Sequence, residues 1–563
     1  MIYHCEDHTC NYWDEGEKLP ERCPQCGRKL LRANEADMTG DDWTALGNTL
    51  WYAEASDKKR MVDCFRKAAY LGSAWGVCNL GICMEQGNGV EADPVQAFWL
   101  YQQAVEMGSL NAVCCLGVCY QYGIGTAPDA EKAAELYCKA AEYGSPRGQM
   151  LLARAFHDGI GVEADAAEAV HWVRAAAYQR YGEGMHRLGE CYAYGDGVEQ
   201  NWEHAVHWFR EAAESGVSEA MTDLGYCYEK GCGVEQSWEQ AFSWYRRGAE
   251  CGDPVSMCNL GLCYKMGHGV EQNWQEAVKW YEQGAQCGNL QSMNNLAYCY
   301  ERGEGVEQNE DRALYWYRRG AEAGSDYCMY CLGWNYSNGE GVEQNMTEAI
   351  RWYTAAAEGG NADAMHDLGW HYDHGEGVEQ DMKKAIYWYE RAAEQNRPAA
   401  MNSLGECYAM GRGVPRDLET AMEWYRRAAE LGEAMADYNM GWHLEQAGKL
   451  SEAYAHYRKA ADGNDDSAWW ALGRFYENGV VVAQDGKEAR RCYETGEKLG
   501  SVKCKMRLAR CKLLGIGGRR EKKAGLDLCR QALELAKESS EKEDYGYEAE
   551  MNLLRRTIAE NES

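Results

Sequence analysis

The sequence predicts an all-α fold: a right-handed α-solenoid of about fourteen stacked helix-turn-helix units behind a short cysteine-bearing module. Three observations carry this. A leucine returns every 36 residues, at positions 80, 116, 152, 188, 224, 260, 296, 332, 368 and 404, and Met440 takes the next beat. Glycine follows it almost every time, with alanine at Ala153 and Ala297. Each leucine from Leu80 to Leu404 is followed by a Gly-x-Gly step and then by a residue suited to start a second helix, whereas the Met440 unit has lost that loop. Self-similarity at this period marks a repeat architecture, in which no unit buries its apolar face alone.

Residues 1–32 form a separate module. Cys5-x4-Cys10 is followed by Cys23-Pro24-Gln25-Cys26-Gly27. Four thiolates suit tetrahedral zinc, and a closed four-ligand site leaves no position for substrate, so one structural zinc is expected. In so small a module the metal would drive folding. The Cys-Pro-x-Cys-Gly half resembles a zinc ribbon or a rubredoxin-like module. The first pair departs from that pattern, being spaced by four, and His4 and His8 offer substitute ligands, with Cys5-x2-His8 an alternative first half. Residues 33–40 read as a linker, 41–540 as the solenoid, and 541–563 as a polar capping helix and tail.

One unit, from Ser218 to Arg247, shows the logic of the rest. Met221, Leu224, Gly225 and Tyr228 give an apolar face at helical spacing. Gly231 and Gly233 end that helix, since glycine takes the left-handed conformation of a C-cap. The second helix starts at Ser237. The same place holds Asp93, Asp129, Asp165, Asn201, Asn273, Asn309, Asn345, Asp381 and Asp417, all good N-caps. That helix is expected to bury Ala241, Trp244, Tyr245 and Gly248. Tryptophan holds the Trp244 place in eight consecutive units, from Trp172 to Trp424.

The pattern Leu-Gly-x-x-Tyr, Gly-x-Gly-Val, Ala-x-x-Trp-Tyr-x-x-Ala-Ala resembles the Sel-one-like repeat, a relative of the tetratricopeptide repeat, from about Leu46 to Ala536. The resemblance implies a non-enzymatic adaptor that binds other proteins. A cysteine-rich branch of that family staples each unit with a pair seven residues apart, a spacing that Cys251 and Cys258 match here. Cys83, Cys119, Cys191, Cys227, Cys263, Cys299 and Cys407 instead share one structural place. Stacked helices pack 8–10 Å apart, beyond disulfide reach, so these read as small buried side chains in a reduced, cytoplasmic protein.

The chain of 563 residues carries a net charge of −31, which argues against nucleic acid or an anionic membrane as the main partner. The start of the chain lacks the apolar run of a signal peptide, and no stretch is apolar enough for a transmembrane helix. The basic residues Lys18, Arg22, Arg28, Lys29 and Arg32 of the first module are balanced by acidic ones, so nucleic-acid binding there is a minor alternative.

In helical-hairpin solenoids the first helix of each pair lines the concave face. Tetratricopeptide proteins bind from places five and two before the leucine and just past the glycine. Carried onto this chain, those places hold Tyr226, Tyr298, Trp334, Trp370 and Trp442 just past the glycine, and His186, Tyr330 and His366 two before the leucine. Aligned exposed rings supply the anchors of a peptide-binding surface. Glu190, Glu229, Glu301, Asp373 and Glu406 nearby would favour basic residues in the bound peptide. A second reading takes His366, His371 and His374 with Asp373 as a metal-dependent catalytic or regulatory cluster, since residues three apart share a helix face. No phosphate loop, nucleophile elbow or His-Glu-x-x-His motif accompanies it.

Overall fold

A computed structural model describes residues 2–5, 13–15, 30–33, 37–51, 55–542 and 548–562. Three short strands, β1 (Ile2–Cys5), β2 (Trp13–Glu15) and β3 (Leu30–Ala33), form an antiparallel sheet in the order β2-β1-β3. Of the proposed zinc ligands, Cys10, Cys23 and Cys26 lie outside the described residues, as does the side chain of Cys5.

The rest of the described chain is helical, and from Ala74 to Leu514 every helix is 13 residues long. It divides into two compact units, one of residues 1–292 with 304–306, the other of 293–303 with 307–563. In both, consecutive helices pack as antiparallel-connected pairs and each pair stacks on the next.

Local chemistry sets the repeat. Gly231 caps its helix at φ 75° and Gly233 follows at φ 69°. A Cβ on Gly233 would stand 2.3 Å from the carbonyl oxygen of Trp202, so the loop passes hard against the preceding second helix. The side chain of Gln236 donates back to the carbonyl of Glu229 at 2.8 Å. Gln200, Gln272 and Gln344 repeat this on Ala193, Lys265 and Ser337, satisfying carbonyls that a helix end leaves orphaned. The Gly-Val-Glu-Gln segment is therefore a C-terminal cap that carries its own donor. The expected N-caps also form: Asp93 accepts from the Gln96 amide, Asn201 from His204 and Ser237 from Gln240.

The centre of each pair is one ring laid on one glycine. Tyr245 is 1 % exposed, and a Cβ on Gly225 would stand 2.6 Å from its ring. Tyr101 lies on Gly81, Tyr137 on Gly117, Tyr281 on Gly261 and Tyr425 on Gly405 in the same way. The Tyr245 hydroxyl donates to Glu229 at 2.8 Å, as Tyr101 does to Glu85, Tyr317 to Glu301 and Tyr493 to Glu477. The neighbouring tryptophan differs from expectation. Trp244 is only half-buried, because it lies at the edge of the pair with the Arg247 guanidinium 4.3 Å from its ring centre. Trp316 and Trp388 are the members of that series that sink into the core.

The basic carboxyl-terminal segment docks on the chain's own acids. Arg507 bonds Glu550 at 2.7 Å and Glu477 at 3.4 Å, Arg510 pairs with the same Glu477, and these carboxylates are almost wholly buried. The final helix, Glu548–Glu562, is held on the last units by this network together with Met551 and Leu554.

Two substitutions separate the parts of the central contact. Gly225→Val should destabilise its region by about 1–3 kcal/mol through overpacking on Tyr245. Tyr245→Phe should cost about 1 kcal/mol, the value of the lost hydrogen bond to Glu229. Amide hydrogen exchange across residues 218–250 checks both, and equal protection in Gly225→Val would contradict the packing account.

Candidate protein-interaction surface

The structure separates the candidate residues into two sets by their place in the unit. His186, Tyr330 and His366, two before the leucine, lie partly buried over the ring of their own second helix. His186 sits 5.8 Å from Phe209, Tyr330 5.9 Å from Tyr353 and His366 5.8 Å from Tyr389, centre to centre. Each also reaches the residue just before the leucine of the following unit. His186 Nε2 meets Asp223 at 2.7 Å, the Tyr330 hydroxyl donates to Asp367 at 3.2 Å, and Ser403 lies 3.4 Å from His366 Nε2. Asn439 continues the series by donating to Asn402 at 3.0 Å. This place builds a polar ladder between successive first helices.

The places just past the glycine behave otherwise. Tyr226 is 45 % exposed, Trp334 38 % and Trp442 37 %, while Tyr298 and Trp370 are half-buried. Trp370 stacks on His374, with ring centres 4.3 Å apart. In the second unit Trp334 forms a wall shared by two depressions. One, of about 220 Å³, is lined by Tyr298, Tyr327, Tyr330, Cys331 and Trp334. The other, of about 340 Å³, runs from Trp334 and Arg302 to the exposed carboxylates Glu310 and Glu340. Three of the expected anchors, Tyr298, Tyr330 and Trp334, therefore meet at one place. Trp370, His366 and Trp442 do not line either depression, and His186 and Tyr226 belong to the first unit.

The acids expected to select a basic peptide are mostly engaged within the fold. Glu229 and Glu301 accept tyrosine hydroxyls, Glu190 pairs with Arg187 at 3.2 Å, and buried Asp373 pairs with Arg412 at 2.8 Å. Burial raises the Glu406 carboxyl above its ordinary range, and Asn402 and Asn439 donate to it.

The histidine cluster comes apart in the same way. His371 is buried against the Glu376 carbonyl, and burial holds its imidazole below the ordinary value. His374 bonds the Trp370 carbonyl, closing the helix that Gly375 caps, and His366 faces Asp367 and Ser403. Among the described residues, three metal-capable ligand atoms fall within 4.8 Å of one another at His186, Glu190 and Asp223 instead. There the His186–Asp223 bond and the Glu190–Arg187 pair already satisfy the groups as ladder and ion pair. Burial pushes the thiols of Cys83, Cys227 and Cys263 up to about 12, which makes these three poor nucleophiles. Cys251 is exposed whereas Cys258 is buried.

A family model described as the Sel1 repeat matches thirteen consecutive segments between residues 76 and 537. The chain belongs to the Sel1 repeat family. Among solved structures it is similar to c5321, described as a protective antigen in uropathogenic Escherichia coli strains displaying an SLR fold. That likeness has 29% identity and a TM-score of 0.55, and covers 76% of this chain and 94% of that one. A Sel1 repeat protein from Oxalobacter formigenes is 32% identical over 43% of this chain and 96% of its own, with a TM-score of 0.40. No curated protein matches. No helix among the described residues is long and apolar enough to cross a membrane.

Within this Sel1 repeat array, sequence reasoning passed over the ladder partners Asp223, Asp367, Ser403 and Asn439. A signal existed, because polar residues recur at an offset of 37, one more than the repeat. Tyr327 was also missed, although it stands five before Leu332 at another place where tetratricopeptide proteins bind.

The ladder has a pH signature. Burial alone would lower the His186 imidazole, but the hydrogen bond and charge of Asp223, helped by Glu190, leave it raised above 6.5. A raised folded value means that this contact stabilises fully below the unfolded value and that its contribution is lost as pH rises through the folded one. In Asp223→Asn the burial remains and the attraction goes, so the His186 titration midpoint should fall below that of the wild type. Imidazole proton shifts followed by NMR check this.

Proposed function

We propose that this Sel1 repeat protein is a non-enzymatic scaffold that captures an extended segment of a partner protein on the aromatic surface of its second unit. The observation that carries the reading is Trp334, a large exposed ring standing between two depressions and flanked by Tyr298, Tyr327 and Arg302. Rings of this kind supply contact area at low conformational cost and dominate binding energy when a partner covers them. Glu310 and Glu340, exposed beside Trp334, would favour a lysine or arginine next to the apolar anchor of the bound segment. Trp370 and Trp442 would extend the contact along later units. The buried thiols suit a reducing, cytoplasmic setting.

Selection of a displayed random-peptide library on the immobilised chain tests this. The wild type should enrich peptides pairing an aromatic or aliphatic anchor with a basic residue. Trp334→Ala combined with Trp370→Ala should bind them at least about 30-fold more weakly, the scale of a hot-spot loss, with unchanged helicity. Equal binding by the variant would remove the surface from consideration.

We also propose one structural zinc on Cys5, Cys10, Cys23 and Cys26. Metal analysis should then find about one zinc per chain, lost when residues 1–32 are deleted, and a metal-free full chain would refute it.

A further inference from the structure

One rung of the polar ladder is made of thiols. A rung joins the place two before one leucine to the place one before the next, as His186 meets Asp223 at 2.7 Å and Asn439 donates to Asn402 at 3.0 Å. Between the units of Leu80 and Leu116 these two places hold Cys78 and Cys115. Both lie in the core, at 1 % and 5 % exposure, and their thiols are hydrogen-bonded to each other. The offset of 37 matters here. Cysteines 36 apart, such as Cys83 and Cys119, occupy identical places and stand a helix spacing apart. The diagonal places reach each other, as the other rungs show. The helices that carry the two thiols, Ala74–Gln86 and Leu110–Tyr122, bring Cα atoms within 8 Å of each other.

Two polar side chains hold the pair from opposite ends. The Arg147 guanidinium donates to the Cys115 sulfur at 3.7 Å and to the Asn111 side-chain oxygen at 2.8 Å. The Asn111 amide in turn donates to the Cys78 sulfur at 3.7 Å. A cation therefore stands at Cys115 and a neutral amide at Cys78, so the thiol that ionises is Cys115.

The electrostatics agree with that placement. The hydrogen bond from Cys78 holds the Cys115 thiol below its ordinary value against the cost of burial, and the charge of Arg147 adds to the effect. The same hydrogen bond, with burial, pushes Cys78 up. Cys83 and Cys119 have no such help, and burial raises both to about 12. Arg147 is itself exposed, so the Cys115 end of the pair adjoins the surface. A thiolate beside an un-ionised thiol is the arrangement of a nucleophilic and a resolving cysteine.

We propose that Cys78 and Cys115 are an oxidation site for a hydroperoxide, closing to a disulfide that joins two successive first helices. With hydrogen peroxide, the Cys115 thiolate attacks one peroxide oxygen and the O–O bond breaks. Sulfur is oxidised to a sulfenic acid, and the hydroxide that leaves takes a proton from solvent. The Cys78 sulfur then attacks the Cys115 sulfur, and its S–H proton passes to the departing hydroxyl, which leaves as water. Two thiols have lost two hydrogens and one peroxide has become two waters. The pair lies wholly in the first compact unit and does not depend on the aromatic surface around Trp334.

Treatment of the reduced full-length chain with a small excess of hydrogen peroxide tests this. Cleavage at Glu85, Glu91 and Glu106 separates the two cysteines, and fragmentation of the linked peptides by mass spectrometry should place the bond between Cys78 and Cys115. The link should form before Cys83 or Cys119 is modified. The thermal midpoint should rise with it and return when dithiothreitol is added, since a cross-link restricts the unfolded chain. In Cys78→Ser the link should be absent and dimedone should label Cys115. Arg147→Met should slow oxidation at least about five-fold by removing the charge beside the thiolate. Thiols at 78 and 115 that react no faster than those at 83 and 119 would show a rung and nothing more, and overturn the site. A bond from Cys115 to any other cysteine overturns the resolving role of Cys78, and an unchanged rate in Arg147→Met overturns the role given to the guanidinium.

Discussion

Everything in the helical array depends on how closely two helices can approach, and that distance is set by a tyrosine ring resting on a glycine. Tyr245 can be 1 % exposed only because Gly225 has no side chain to hold the second helix away. Burying such a side chain is worth about 1.5–3 kcal/mol, and its hydroxyl adds about 1 kcal/mol when it finds Glu229. Neither is enough to order a 36-residue unit against the entropy of its chain. Stability therefore accumulates by stacking, each pair lending its second face to the next. The crowded contact of Gly233 on the Trp202 carbonyl is part of the same requirement, since it seats each loop on the helix of the unit before it.

That constraint occupies a fixed set of places and leaves others open. The leucine, its glycine, the thiol two residues past that glycine and the ring 21 after the leucine are all committed to the core. What remains on the first helix includes the places two before the leucine, one before it, and one past the glycine. The first two of these come within hydrogen-bond reach across successive units, and the chain uses them for the ladder of His186–Asp223, Tyr330–Asp367 and Asn402–Asn439. The third is less enclosed, so Tyr226, Trp334 and Trp442 stay open to solvent while Tyr298 and Trp370 are half-buried. The division between structural and exposed aromatics follows from place in the unit, not from residue type.

Much of this was legible in the residues. The repeat period, the helix pairing, every N-cap from Asp93 to Asp417 and the glycine C-caps follow from local chemistry, and local chemistry is written along the chain. Tyr298, Tyr330 and Trp334 could be marked as candidates because they stand at places that the core does not need and that vary between units. What could not be read is what depends on packing across units. The polarity of Glu229, Glu301 and Asp373 suggested a charged face, yet each is taken up by a tyrosine or an arginine that only the fold brings near. His371 and His374 share a helix, but one turns inward to a loop carbonyl and the other back along its own helix, so sequence proximity did not become a ligand set. The half-exposure of Trp244 belongs with these, because an arginine one turn on covers its face and makes full burial unnecessary.

A repeat array offers a stronger test of meaning than a single domain does, because each unit shows what its neighbours would look like without a special role. The net charge of −31 illustrates this. Spread over the units it reads as a solvated surface, and most of the acids near the aromatic places have structural partners. Departures confined to one unit are different, since the fold does not need them.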